Sequence, residues 1–143
     1  MADTMQYDLV SPERRLTSGE ATEVQIPGAE GDLTAMAGHL PVITTLRPGI
    51  LRIVTSAGTD EYAVTGGFAE ISAEGASILA EEALHVSEVT QEVIDGFMER
   101  AAQRYREAKE AEEHNLVDDA AKLMADMVAM GGHIGLSPKQ PSL

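Results

Sequence analysis

The sequence predicts an α+β chain: an antiparallel β half, folded as a sandwich or a flattened barrel, followed by an antiparallel α-helical hairpin. Three observations predict it. Short β-branched runs alternate with Pro, Gly, Asp and Ser clusters through roughly the first 85 residues. The apolar period then changes near Val89 from two to three or four. Two apolar stripes follow, parted by a short break at His114-Asn115. The pattern divides the chain into a β unit at 1–87 and a helical unit at 88–143.

The strands follow from alternation. In "MQYDLV" (5–10), Met5, Tyr7 and Leu9 oppose Gln6 and Asp8. In "EATEVQIPG", Ala21, Glu23 and Gln25 share one face and Thr22, Val24 and Ile26 the other. "GILRIVTS" (49–56) is apolar apart from Arg52 and its final residues, and reads as a strand covered on both faces. "SAG" before "DEYAVT" (60–65) is a hairpin signal. "GG" at 66–67 reads as a hairpin or bulge, and "GGFAEIS" sets Phe68, Glu70 and Ser72 opposite Ala69 and Ile71. "EGASILAEEA" follows another glycine turn.

The helices follow from the longer period. Thr90 is placed to cap a helix carrying Ile94, Phe97 or Met98, Ala101, Tyr105 and Ala108 on one stripe. Glu92 and Asp95 lie near its positive end. His114 is expected at the helix C-terminus, and Asn115 as the cap of a second helix. Leu116, Ala120, Leu123, Met127 and Met130 form that helix's stripe, Gly131-Gly132 is expected to stop it, and Pro138 and Pro141 to mark a loose tail. Both stripes are narrow and partly alanine, so the hairpin alone is marginal. The junction near Leu84–Thr90 is the expected hinge.

Composition excludes several function classes. Apolar residues make up 43% of the 143 positions, enough for a core, but aromatics only 3%. A net charge of −14 repels phosphate backbones, so nucleic acid is not an expected partner. There is no Cys, hence no disulfide or thiol chemistry. No apolar run approaches the ~20 residues of a membrane span, and the start lacks a signal-peptide pattern, so direct membrane insertion is not expected. His39, His85, His114 and His133 show no metal-ligand spacing. Phosphate-loop, dinucleotide and nucleophile-elbow motifs are absent. The acid pairs are sequence neighbours and do not face one site. No catalytic residue, metal or cofactor is expected. By elimination the residues favour an interaction role. A small hydrolase using His39 and Asp32 is the weaker enzymatic reading, and a free-standing ligand-sensing regulatory module is the alternative.

One stretch narrows the choice. "IPGAEGDLTAMAGHLPVITTLRPGILRI" (26–53), with "GGFAEI" (66–71) and "ILAEEA" (78–83), resembles the signature of the epsilon subunit of F-type ATP synthases, the counterpart of the mitochondrial delta subunit. Order and spacing agree over about 60 residues, and a β half before a helical hairpin suits the same family. The resemblance implies a sandwich of about ten strands that docks on the gamma subunit and the ring of c subunits. It implies a non-catalytic rotor role coupling proton flow to ATP synthesis, on the cytoplasmic face of the bacterial inner membrane. Glu30, Gly31 and Asp32 then fall at the c-ring contact, and His39 and Thr44 at the gamma contact. The hairpin is the part that meets the alpha and beta subunits in some members. Thr34 stands where the family often has Gly, which leaves its turn without that freedom of φ.

Two family activities are not expected here. Some members bind ATP through I-D-x-x-R-A, and here Ile94-Asp95 is followed by Arg100-Ala101 two residues late. Two residues turn a helical side chain by about 200°. In other members a basic second helix inhibits ATP hydrolysis. Residues 115–143 hold Asp118, Asp119 and Asp126 against Lys122 and Lys139, with no Arg, so at most weak inhibition is expected.

Overall fold

A computed structural model describes residues 3–141. It divides into two compact units, Met1–Ser87 and Glu88–Leu143. The first is a two-sheet β-sandwich. Its strands are β1 (Met5–Ser11), β2 (Arg14–Ala21), β3 (Glu23–Gly28), β4 (Gly31–Ala35), β5 (Val42–Thr45), β6 (Gly49–Thr55), β7 (Gly58–Val64), β8 (Gly67–Ile71), β9 (Gly75–Ala80) and β10 (Ala83–His85). One sheet has the order β2-β1-β9-β8-β5 and the other β10-β7-β6-β3-β4. Every pairing is antiparallel except β1 with β9, which is parallel. The first sheet thus takes two long-range pairings, β1 with β9 and β5 with β8, that no hairpin signal announces.

Alternation places the core between the sheets. Leu9, Val24, Ile26, Leu51, Ile53, Ile71 and Ile78 are fully buried. Each such side chain contributes ~1.5–3 kcal/mol on leaving water. β6 corrects one expectation: Leu51 and Ile53 are buried, but Ile50 and Val54 are only half-buried and Arg52 is exposed. A strand with one clearly buried face carries apolar residues on both because half-burial also favours β-branched side chains.

Ala21 and Val24, read as one run, belong to different strands, because the chain leaves one sheet at Thr22 and enters the other. Gly66-Gly67 is neither hairpin nor bulge. It carries the chain from β7 in one sheet to β8 in the other. Gly67 has φ +108°, and a Cβ there would stand 1.9 Å from the Leu79 carbonyl oxygen. Only a residue without a side chain permits that approach.

The helical unit holds α1 (Gln91–Glu110) and α2 (His114–His133). Thr90 caps α1 as expected, its hydroxyl accepting from the Val93 N–H at 3.2 Å. Ile94, Phe97, Met98, Ala101, Ala102 and Ala108 are buried. The turn between the helices differs from expectation. Glu112 takes φ +57°, Glu113 N–H donates to the Ala108 carbonyl at 3.0 Å, and Glu112 N–H donates to Lys109 at 3.2 Å. That is a Schellman closure made without glycine. α2 therefore begins at His114, one residue before the expected Asn115 cap, and has no side-chain cap. His114 stands at a helix N-terminus, not a C-terminus.

Gly131 and Gly132 do not stop α2 either. Helix continues to His133 and closes at Gly135, φ +79°, with Leu136 N–H donating to the Gly131 carbonyl at 2.8 Å. A glycine ends a helix where left-handed φ is needed, and that position is Gly135. Among the described residues no helix is long and apolar enough to cross a membrane.

Candidate functional site

The residues predicted to contact the c-ring and gamma sit on one corner and one edge of the sandwich. β3 and β4 form a tight hairpin through Ala29-Glu30, with Gly28 paired to Gly31. Gly31 has φ +137°, and a Cβ on Gly28 would meet the Gly31 carbonyl at 2.5 Å. The two glycines bring the backbone close enough to present Glu30 and Asp32 at the tip. Thr34 needs no such freedom. It is an ordinary β4 residue paired with Gln25, so the turn keeps its shape without glycine there.

Arg47, in the connection from β5 to β6, clasps this tip. Its Nη2 pairs with the Asp32 carboxylate, and its Nη1 donates to the Gly28 carbonyl at 2.6 Å. Its backbone N–H donates to Pro27, and Ala29 N–H donates to Thr45, at 3.0 and 2.8 Å. A Cβ on Gly28 would lie 3.3 Å from the Thr44 hydroxyl oxygen. The structure therefore brings Thr44 to the turn of Glu30, Gly31 and Asp32, although the two lie in different sheets. Asp32 remains open to solvent, its side chain 73% exposed.

His39 lies elsewhere. It precedes β5, where Gly38 N–H donates to Ala73 in the β8–β9 turn at 3.0 Å. Its Nδ1 lies 2.6 Å from the Leu40 carbonyl oxygen, which makes Nδ1 the protonated nitrogen. Asp32 is committed to Arg47 and His39 to Leu40, so the hydrolase pairing of these two has no hydrogen bond to rest on. Among the described residues no three metal-ligating side chains gather.

Sequence reasoning missed the most exposed apolar surface. β5 is an edge strand, and Ile43 on it is 70% exposed. Ile43 pairs with Glu70, while Phe68 pairs with both Thr45 and Leu79. Ile43, Phe68 and Leu79 thus share the outer face of their sheet, and Leu40, 80% exposed, precedes it. Thr44 pairs with buried Ala69 and points to the inner side. The alternation of "GGFAEIS" already put Phe68 opposite Ala69 and Ile71, which are buried. Only the β5–β8 register shows that Ile43 joins it.

The remnants of the nucleotide motif do not converge. Ile94 and Ala101 are buried, and the Arg100 guanidinium lies over the Phe97 ring at 5.2 Å. Asp95 accepts instead from Gln91 and from the Lys139 backbone, at 2.9 and 2.7 Å.

A ten-stranded sandwich followed by a helical hairpin, with a glycine-built acidic tip beside an apolar edge, defines a small class of proteins. The model of the ATP synthase delta/epsilon chain β-sandwich domain matches residues 4–86. The chain is 58% identical over 137 residues to an ATP synthase epsilon chain of Ruegeria, covering 95% of this chain and all of that one. It is 56% identical to that of Rhodobacter capsulatus, again over 95% of this chain and all of the relative. The chain belongs to the delta/epsilon family of ATP synthase subunits. Its fold is shared with a chain of the Euglena gracilis mitochondrial ATP synthase, at a TM-score of 0.66 and 24% identity, over 88% of this chain and 80% of that one.

Proposed function

We propose that this chain is a non-catalytic rotor subunit of the central stalk, which docks on the gamma subunit and the c-ring and helps couple proton translocation to ATP synthesis. It holds no cofactor, and its hairpin inhibits ATP hydrolysis weakly at most. It is a peripheral protein on the cytoplasmic face of the bacterial inner membrane, held there by its partners.

The observation that carries this reading is the exposed apolar edge at Ile43, Phe68 and Leu79. A flat edge strand with exposed apolar residues invites pairing unless a partner covers it. On this reading the edge faces gamma, with His39 and Thr44 also at the gamma contact. Glu30, Gly31 and Asp32 meet polar loops of the c-ring, where charge complementarity sets register more than affinity.

The test is binding of the full chain to an F1 sector that contains gamma and lacks this subunit. Ile43→Asp with Phe68→Ser is expected to weaken binding tenfold or more while leaving thermal unfolding in place. Wild-type affinity in that variant would overturn the proposed face.

A further inference from the structure

The segment after α2, expected to be loose, is built against the start of α1. After the Gly135 turn, Pro138 is buried over Gly131. A Cβ on Gly131 would stand 2.8 Å from the Leu136 carbonyl oxygen and 3.0 Å from Pro138 Cδ. From α1, Gln91 Nε2 donates to the Ser137 carbonyl at 2.6 Å and to Asp95 Oδ1 at 2.9 Å. The Lys139 backbone N–H donates to the same Asp95 oxygen at 2.7 Å.

We infer that residues 135–139 form a latch that holds the open end of the hairpin shut, with Asp95 and Gln91 as its catch and Gly131 as its seat. The start of α1 and the end of α2 lie at the end opposite the Glu112 turn. Nothing covalent joins them there, and frayed helix ends separate first. The latch spans that end with a carboxylate-to-amide bond, the stronger kind. The rest of the hairpin gives it a job. Its apolar stripes are narrow, α2 has no side-chain cap, and Glu112 is held in a left-handed conformation. Whatever draws the helices apart must first break the Asp95 and Ser137 bonds and expose Pro138.

Two glycine substitutions separate the latch from ordinary helix stability in the full chain. Gly131→Ala and Gly132→Ala both replace a helical glycine by alanine, but a Cβ on Gly132 meets nothing within 4 Å. Amide hydrogen exchange is the readout. In Gly131→Ala the Lys139 amide is expected to lose protection at least tenfold. The ends of both helices, around Asp95–Met98 and Val128–Gly132, should exchange faster while sandwich amides hold. Gly132→Ala should keep Lys139 protected and slow exchange in α2. Asp95→Ala removes the catch from the other side and should match Gly131→Ala. The latch is refuted if the wild-type Lys139 amide exchanges as freely as an unstructured peptide, or if Asp95→Ala leaves helix-end exchange unchanged.

Discussion

Arg47 reaches Asp32 with one guanidinium nitrogen and the Gly28 carbonyl with the other, 2.6 Å away, so one side chain holds both sides of the β3–β4 tip. The two contacts differ in weight. Asp32 is largely exposed, and an exposed ion pair contributes about 0–1 kcal/mol. A bond from a charged donor to a half-buried carbonyl contributes roughly 1.5–3 kcal/mol. Asp32→Asn is therefore expected to leave sandwich stability nearly unchanged, whereas Arg47→Ala lowers it by about 1–2 kcal/mol. Denaturant unfolding of the two variants compares them directly. On the proposed function, Asp32→Asn should still reduce coupled ATP synthesis in membranes.

Gly67 is predicted to be the least replaceable glycine of the sandwich. Gly67→Ala combines a left-handed φ with a Cβ 1.9 Å from the Leu79 carbonyl. The expected loss is about 2–4 kcal/mol from strain and overpacking. Gly58→Ala, where φ is +135° but a Cβ meets nothing, should cost less. Thermal unfolding of both variants in one buffer checks the order.

The opposite sign is predicted at Glu112. It is the one described non-glycine residue with positive φ, and it closes α1 where glycine is the usual choice. Glu112→Gly relieves roughly 1 kcal/mol of local strain and also removes a negative charge from a helix C-terminus. Hydrogen exchange of amides near Ala108 and Val117 should slow. Faster exchange would show that the left-handed strain is offset by contacts of the Glu112 side chain.

ATP is not expected to bind the isolated subunit. Arg100 lies over Phe97 and Asp95 accepts from the Lys139 backbone N–H, so a shared ligand would have to displace both contacts. Titration calorimetry should record no heat of binding at micromolar ATP. A micromolar Kd would mean that the latch yields to nucleotide.

Acid should weaken the hairpin through Glu99. The hydrogen bond from Arg106, 2.8 Å long, holds its carboxyl below the usual glutamate range. The charges of Arg106 and Lys139 add to this, and desolvation opposes it. A lowered folded-state value means that the unfolded chain binds the proton more readily. The contribution is thus present above the unfolded glutamate's value and fades as pH falls through the folded one. It is small, because Glu99 is solvent-exposed. Arg106→Gln should move the Glu99 titration back toward its ordinary value, as followed by carboxyl-carbon NMR.

Much of this was legible in the chain. Period-two alternation in "MQYDLV" and "GGFAEIS" located strands and their buried faces, because a pleated backbone sends neighbours to opposite sides. Thr90 announced α1, because a hydroxyl at that position satisfies a free N–H. The order of "PGAEGD" and "GHLP" disclosed the family. Local signals failed where distant backbone decided the conformation. Gly66-Gly67 looked like a turn within one sheet, and Gly131-Gly132 like a helix stop.

By itself, then, the sequence determined the two-part architecture, the alternation of strands such as β1 and β8, the first helix and the family, since these rest on neighbours within a turn or a strand. Only the tertiary structure decided which distant segments meet, and so that Arg47 binds Asp32, that Ile43 joins Phe68, and that Lys139 returns to Asp95. Those pairs lie 15, 25 and 44 residues apart. Contacts at such separations leave no periodic trace, because what brings them together is the closure of the whole fold and not the preference of any local stretch.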